Sequence, residues 1–169
     1  APIFAIPLAL LFNIIWPPIQ NGLDSLAMWM AGSGVIGIFL FGFLNRALIP
    51  VGLHHVINSY LWFQMGSFTN AAGDVVMGDI PRFLAGDPTA GVFMTGLYPV
   101  FLFGLPGACL AMYKCAKKDK KSEVKSLMIS GAGTCFIAGI TEPVEFLFEF
   151  VSPKLYLLHC LFSGLGGAI

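Results

Sequence analysis

The stretch SLAMWMAGSGVIGIFLFGFL, residues 25–44, decides the fold class because it runs for 20 residues without a charged side chain. A helix needs roughly 20 apolar residues to cross the hydrocarbon core of a bilayer. The small residues at 31–34 and at Gly37 allow a second helix to approach closely. The stretch therefore predicts one continuous membrane-spanning helix.

The composition of the whole chain also indicates a membrane protein. Of its 169 residues, 57% are hydrophobic and 11% are charged, with a mean hydropathy of +0.82, whereas soluble proteins carry about 25% charged residues. Nine Lys and Arg balance nine Asp and Glu, so the chain lacks the basic surface that binds nucleic acid. Its four cysteines form no CxxC pair and have no His at zinc-finger spacing. We expect no metal site and no disulfide framework.

More apolar sequence lies before this stretch. Residues 3–16 precede Pro17 and Pro18, which we expect to end a first helix because proline lacks an amide donor and has a fixed φ. Residues 1–16 and 161–169 are apolar without a polar flank at the chain end. We therefore expect the chain to be part of a longer protein.

A further span and a basic loop follow later in the chain. Residues 90–113 are uncharged and long enough to cross a bilayer, with Pro99 and Pro106 expected to kink the helix. Residues 114–125, KCAKKDKKSEVK, hold six of the nine basic residues and are predicted to face the cytoplasm. Residues 127–140 are apolar but too few for a comfortable crossing.

Residues 45–66, NRALIPVGLHHVINSYLWFQMG, interrupt the apolar pattern with Arg46, His54 and His55. Lipid does not accommodate such groups without partners. A broken or re-entrant segment that lines a polar cavity explains them, and an interfacial loop is the alternative. The polar residues 67–89 that follow indicate a loop outside the membrane or beside the cavity.

The second interruption is GITEPVEFLFEF, residues 139–150. Pro143 favours the first turn of a new helix and disfavours helical geometry at Glu142, which places Glu142 at a junction between two segments. Glu145 and Glu149 are four residues apart and share a helix face, which we expect to meet water or protein. The later His159 is expected to pack rather than to bind a ligand.

These two interruptions predict the chemistry. We expect His54 and Glu142 to converge on a wet pocket, because ionisable groups in a membrane segment are expensive to bury and are functional candidates. A carboxylate accepts hydrogen bonds from sugar hydroxyls and can act as a general base, and an imidazole donates or accepts. The same carboxylate would serve an ion-coupled sugar carrier, and a purely structural membrane subunit is a third alternative.

Four motifs make a resemblance specific. In chain order they are NRALIPVGLHH (45–55), GSFTNAAGDVVMGDIPRFLAGDPTAG (66–91), FGLPGACLAMY (103–113) and GITEPVEFLFEFVSP (139–153). Together they resemble the membrane-embedded IIC domain of the glucose and N-acetylglucosamine permeases of the bacterial phosphoenolpyruvate-dependent phosphotransferase system, from about Trp16 to the end of the chain.

The resemblance implies an all-α integral membrane protein, a partial IIC transporter fold of the glucose superfamily. Such a protein is a homodimer of about ten spans per subunit, with two re-entrant hairpins that form the sugar site. The implied divisions of residues 1–169 are transmembrane helices at 1–44, a first re-entrant region at 45–66, a polar loop at 67–89, a transmembrane helix at 90–113, a basic cytoplasmic loop at 114–125, and a second re-entrant region with the TEP motif and the following helix at 126–169.

The resemblance also implies site residues. Glu142 and His54 match the family's catalytic and sugar-binding carboxylate and imidazole. Further substrate-binding candidates by resemblance are Arg46, His55, Thr141, Asn70 and Asp87.

The implied activity is sugar uptake coupled to phosphorylation of the 6-hydroxyl. The phosphate comes from a phosphocysteine on a IIB domain, supplied in turn by IIA and HPr, and no cofactor takes part. The substrate is N-acetylglucosamine ahead of glucose, and the location is the bacterial inner membrane, crossed several times. None of the four cysteines lies in a phosphocysteine motif, so the phosphotransferase needs further domains and this chain alone is expected to be inactive.

Overall fold

The computed structural model describes residues 2–169 and is built mainly from helices. The α-helices are α1 (Pro2–Gly32), α2 (Val35–Ala47), α3 (His54–Phe63), α4 (Asp79–Leu84), α5 (Val92–Thr95), α6 (Leu105–Cys115), α7 (Lys121–Ala138), α8 (Glu142–Glu149) and α9 (Pro153–Ala168). Two strands, β1 (Ser67–Thr69) and β2 (Val75–Met77), form a hairpin. Residue 1, which belongs to the predicted transmembrane region 1–44, lies outside the described residues.

The beginning of the chain differs from the predicted segments in two ways. Pro17 and Pro18 lie inside α1 instead of ending it, so that prediction was wrong. Membrane helices tolerate proline where other groups satisfy the backbone carbonyls that it leaves free. The stretch 25–44 is not one helix, because a turn at Ser33 and Gly34 separates α1 from α2. Gly34 has a φ of 57°, in the left-handed region that glycine adopts without strain.

Helices α2 and α9 pack with their backbones in contact. A Cβ on Gly42 would lie 2.8 Å from the carbonyl oxygen of Ser163, and a Cβ on Gly164 would lie 2.7 Å from that of Phe39. Small residues permit this approach between membrane helices, where the packing itself drives association. The contact brings the C-terminal end of α2 beside α9.

Among the described residues, two helical stretches are long and apolar enough to cross a membrane, Phe4–Gly32 and Val92–Cys115. Helix α2 is apolar but shorter. The second stretch contains a π-helical turn, Val100–Gly104, directly after Pro99, and a π-helical turn is one of the known causes of a helix kink. Pro106 instead lies in the first turn of α6, where a proline is accommodated.

The predicted polar loop, residues 67–89, is partly ordered. β1 and β2 pair antiparallel with Phe68 opposite Val76, which is an exception to the all-α prediction. The side chain of Asn70 builds the turn, since its Oδ1 accepts hydrogen bonds from two turn amides at 3.0 and 2.9 Å, as Asn commonly does in turns. The hairpin therefore closes on local hydrogen bonds.

A buried carboxylate joins this region to α5. Asp79 is 2% exposed and accepts hydrogen bonds from the amides of Gly91 (2.8 Å), Phe93 (3.2 Å) and Met94 (3.3 Å). The first amides of a helix have no partner within the helix. Asp79 supplies that partner from α4.

The predicted basic loop, residues 114–125, is largely helical. α6 continues to Cys115, a 3₁₀ turn covers Lys118–Lys120, and α7 begins at Lys121. α7 is therefore an 18-residue helix. It includes most of the apolar residues 127–140, which by themselves are too few for a comfortable crossing. α8 begins at Glu142 with Pro143 in its first turn, which confirms the predicted junction.

Two hydrophobic clusters form the interior. One lies between α1, α2, α3 and the α5 region, and its buried members are Ala27, Met30, Phe41, Ile57, Leu61, Phe93 and Leu97. The other lies between α6, α7, α8 and α9, and its buried members are Val100, Leu105, Cys109, Met128, Cys135, Val144, Phe148, Tyr156 and Cys160. The site described next lies where α2 and α3 meet α8.

Candidate functional site

The two interrupted regions meet at the beginnings of α3 and α8. His54 is the first residue of α3 and Glu142 is the first residue of α8, and His54 Nε2 lies 3.4 Å from Glu142 Oε1. Residues 88 positions apart in the chain thus share one site, as expected from the sequence.

Two left-handed glycines make these beginnings possible. Gly52, with a φ of 71°, ends the 3₁₀ turn Ile49–Val51 two residues before His54. Gly139, with a φ of 68°, ends α7 three residues before Glu142. A glycine at this position is the commonest way to stop a helix, and each stop is followed by a new helix that presents an ionisable side chain.

Glu142 is oriented and reachable. Its Oε2 accepts a hydrogen bond from the amide of Thr141 at 3.0 Å, while Oε1 faces His54. The side chain is 29% exposed, so a ligand can approach it. A negative charge at a helix N-terminus is favoured by the helix dipole.

His54 is buried beside it and poor in partners. The residue is 6% exposed, and within residues 2–169 neither ring nitrogen makes a hydrogen bond. Its ring lies against that of His55, with centroids 3.9 Å apart. His54, His55 and Glu142 each offer one ligand atom, and these atoms lie within 4.8 Å of one another, a spacing that is compatible with a shared metal ion.

Arg46 binds a carboxylate that the sequence did not single out for this role. Its Nη1 donates to Glu145 Oε1 at 2.9 Å and to Thr141 Oγ1 at 2.7 Å, and Thr141 Oγ1 donates to Glu145 Oε2 at 3.1 Å. Arg46 is 4% exposed and Glu145 is fully buried. Arg46 therefore ties α2 to the first turn of α8, next to Glu142.

Glu145 has a third partner, His159 from α9. The distance from His159 Nε2 to Glu145 Oε1 is 2.7 Å, and the imidazole packs edge-on against Phe148. The expectation that His159 packs within the protein is confirmed. Glu149 is also buried, so the shared face of Glu145 and Glu149 turns into the protein.

Asn45, the residue before Arg46, ties α2 to α3 through a side-chain hydrogen bond. The side-chain amide of Asn45 donates to Asn58 Oδ1 of α3, and both residues are buried. The hydroxyl of Tyr156 on α9 donates to the Arg46 carbonyl. Sequence reasoning missed these partners, although polar Asn45 and Asn58 within an apolar run were a signal that could have found them.

Two of the candidate residues have local partners in the polar region instead. Asn70 is half-buried and hydrogen-bonds within its own turn. Asp87 pairs with Arg82 at 2.7 Å and accepts hydrogen bonds from the hydroxyl and the amide of Thr89 at 2.7 and 2.9 Å. These bonds to Thr89, followed by those to Arg82, hold the pKa of the Asp87 carboxyl below its ordinary value. The structure does not bring Asn70 or Asp87 into contact with His54 or Glu142.

A separate cavity of about 580 Å³ lies between the π-helical turn, α6 and α9. Its walls are mainly apolar, and it reaches His159 and Ser163. The hydroxyls of a polyhydroxylated ligand form hydrogen bonds, and the junction at Glu142 offers charged and polar partners where this cavity has mainly apolar walls.

Comparison with known proteins is consistent with this geometry. The family model described as "Phosphotransferase system, EIIC" matches residues 1–164. The chain belongs to the phosphotransferase-system EIIC family. The resemblance seen in its motifs is thereby confirmed, and EIIC proteins are membrane proteins.

Individual EIIC relatives show the same similarity. The chain is 52% identical over 162 residues to the "PTS system N-acetylglucosamine-specific EIICBA component" of Escherichia coli (strain K12). The aligned region covers 96% of this chain and 25% of that protein. It is 51% identical over 163 residues to the "PTS system N-acetylglucosamine-specific EIICB component" of Bacillus subtilis (strain 168), 96% of this chain and 35% of that protein. It is 48% identical over 169 residues to the "PTS system glucose-specific EIICBA component" of Staphylococcus carnosus (strain TM300), 96% of this chain and 24% of that protein. The chain thus spans about a quarter to a third of the length of these relatives.

Proposed function

We propose that this chain is part of the membrane permease domain of a phosphotransferase-system sugar transporter. The observation that carries the proposal is the approach of His54 Nε2 to Glu142 Oε1, 3.4 Å apart, at two helix beginnings in a chain of the EIIC family. Membership of this family gives no support to the ion-coupled carrier. The permease binds a hexose at this junction while the sugar is phosphorylated.

In this proposal Glu142 and His54 contact the sugar directly. The exposed fraction of the Glu142 side chain leaves room for a hydroxyl to approach Oε1, and the fixed amide of Thr141 keeps the carboxylate in place. The ring nitrogens of His54, which have no hydrogen-bond partner in the described chain, offer a second contact. Arg46 positions α8 through Glu145 and Thr141.

The transfer step joins the sugar to the phosphate in a single displacement. The 6-hydroxyl oxygen of the sugar attacks the phosphorus of a phosphocysteine on a IIB domain. The sulfur–phosphorus bond breaks as the oxygen–phosphorus bond forms, the thiolate leaves, and the hydroxyl proton passes to the Glu142 carboxylate. The sugar phosphate is charged and does not recross the hydrocarbon cheaply, so phosphorylation makes uptake one-way.

Several finer features belong to the same proposal. Region 45–66 is the first re-entrant hairpin of a multi-pass homodimer in the bacterial inner membrane, and region 126–169 contains the second together with the helix that follows it. IIB, IIA and HPr deliver the phosphate. The relatives named EIICBA and EIICB carry the letters B and A beside C, which supports IIB and IIA as partners. Because the phosphate comes from those domains, this chain by itself is inactive as a phosphotransferase.

The proposed substrate is N-acetylglucosamine, with glucose as the competitor. The names of two relatives given above support N-acetylglucosamine, and the name of one supports glucose. Phosphorylation of labelled N-acetylglucosamine by the full-length protein should be poorly competed by glucose. Efficient competition at equal concentration would reverse the order.

The experiment that tests the function is Glu142→Gln in the full-length protein, assayed with a phosphorylated IIB domain. General base catalysis contributes about 10²- to 10⁴-fold, and we expect the rate of sugar phosphorylation to fall by about that factor. The matched control is Glu123→Gln, because Glu123 is an exposed carboxylate on α7. The control should keep the wild-type rate.

Two results would contradict the proposal. A wild-type rate in the Glu142→Gln variant would remove the carboxylate from the mechanism. Uptake of unmodified sugar driven by an ion gradient, without any phosphoprotein, would assign the chain to another class of transporter. Equal amounts of inserted protein in both variants make the comparison valid.

A further inference from the structure

The group formed by His54, His55 and Glu142 has the properties of a metal site, although the sequence predicts none. We propose that these three side chains bind a divalent transition-metal ion of the Zn²⁺ class. Bound there, the ion competes with the sugar. The metal-binding part of this inference goes beyond the proposed function, and only the competition depends on it.

The spacing of the ligand atoms fits a tetrahedral ion. Zinc binds imidazole nitrogen at about 2.0–2.1 Å and carboxylate oxygen at about 2.0–2.2 Å, so two ligands at a tetrahedral angle lie about 3.4 Å apart. The distance from His54 Nε2 to Glu142 Oε1 is 3.4 Å. All three ligand atoms lie within 4.8 Å of one another, and His55, which is exposed, has the freedom to rotate inward.

A second observation points to a ligand at the same place. His54 is 6% exposed, and over residues 2–169 neither of its ring nitrogens has a hydrogen-bond partner. Buried polar groups without partners are rare in native proteins. A metal ion bound to Nε2 supplies a partner for one of the two nitrogens, and the neighbouring carboxylate balances its charge.

The ligand set selects the class of ion. Two imidazoles and one carboxylate suit zinc and its neighbours, whereas Mg²⁺ and Ca²⁺ prefer oxygen ligands. Three protein ligands leave the fourth position of a tetrahedral ion open to water.

The consequence for transport follows from the shared atoms. Glu142 Oε1 and His54 Nε2 are the atoms proposed to contact the sugar, and a metal ion on them prevents that contact. The ion is therefore an inhibitor at this site, and high sugar concentration should displace it.

The test is direct metal binding to the full-length protein in detergent, which requires no sugar turnover. The probe is Co²⁺, followed by the visible absorption of tetrahedral cobalt, and Zn²⁺ is then titrated calorimetrically. The starting protein carries Cys115→Ser, because Cys115 is an exposed thiol that binds these ions independently. The variants are His55→Gln and Glu142→Gln, with Glu123→Gln as the matched control.

We expect one ion per chain at this site. The affinity should fall at least 10- to 100-fold in His55→Gln and in Glu142→Gln, which is the loss caused by removing even an outer-shell partner of a ligand. Glu123→Gln should bind as the starting protein does. His55 is exposed, so its replacement tests the site without disturbing the interior.

Two outcomes overturn the inference. Equal Zn²⁺ affinity in His55→Gln and the starting protein would place the ion elsewhere and refute the site. Zn²⁺ affinity that is unchanged by saturating N-acetylglucosamine would refute the competition. Because binding is measured without phosphorylation, failure of the metal site and failure of the proposed transport function give different results.

Discussion

Replacing Glu145 with leucine should strongly destabilise the protein, because it leaves a positive charge buried without its partner. Arg46 is 4% exposed and Glu145 is fully buried. The carboxylate accepts hydrogen bonds from Arg46, His159 and Thr141. Breaking one side of a buried ion pair costs about 3–5 kcal/mol, and we expect Glu145→Leu to lower the free energy of unfolding by that amount.

Companion variants separate the charge from the side-chain volume. Glu145→Gln keeps an acceptor oxygen and should cost less than Glu145→Leu. The double variant Arg46→Met with Glu145→Leu removes both charges and should recover most of the loss, since apolar replacements of a buried pair are often neutral or stabilising. Activity should not return in the double variant, because Arg46 no longer positions α8.

The assay is unfolding of the full-length protein in mixed micelles, followed by tryptophan fluorescence. Glu149→Leu is the matched control: Glu149 is buried one turn further along α8, and its Oε2 has no partner in the part of the chain that the structure describes. We expect Glu149→Leu to change the free energy of unfolding by less than about 1 kcal/mol. A loss below about 1 kcal/mol in Glu145→Leu, or no recovery in the double variant, would refute the reasoning.

Two further predictions concern packing and pH. Gly42→Val should separate α2 from α9, because a Cβ there would lie 2.8 Å from the Ser163 carbonyl oxygen; unfolding in mixed micelles should show a loss of about 1–3 kcal/mol, and unchanged stability would contradict the packing. Asp87, whose folded pKa lies below its ordinary value of 3.8, stabilises the fold above that value and loses the contribution as the pH falls through the folded pKa. Asp87→Asn should therefore weaken the acid dependence of unfolding, and an unaltered pH profile would contradict this.

The junctions of the chain were predictable from local chemistry. Pro143 placed the beginning of α8 at Glu142, and the polar groups of residues 45–66 marked the first interruption. Local rules succeed here because a proline acts on its immediate neighbours. The same rule failed at Pro17 and Pro18, because α1 continues through both prolines and a proline in a membrane helix does not always end it.

The partners within the site were not predictable in the same way. Glu145 meets His159 across a helix break, and Arg46 meets Glu145 across 99 positions of the chain. No spacing rule connects residues on different helices, so pairing depends on how α2, α8 and α9 pack. Asn45 illustrates the limit: its polarity within an apolar run signals a buried partner, but only the packing of α3 identifies Asn58.

Helix α1 is too long to fit across a bilayer upright. With 31 residues at a rise of about 1.5 Å each it measures about 46 Å, whereas the hydrocarbon layer is about 30 Å thick. Tilting alone would need an angle of about 50°, beyond the roughly 0–40° seen for such helices. Several turns of α1 must therefore project into the headgroups or the water. The side chains of Gln20 and Asp24 form a hydrogen bond of 2.7 Å, and these two polar residues mark a level at which the helix can leave the hydrocarbon core.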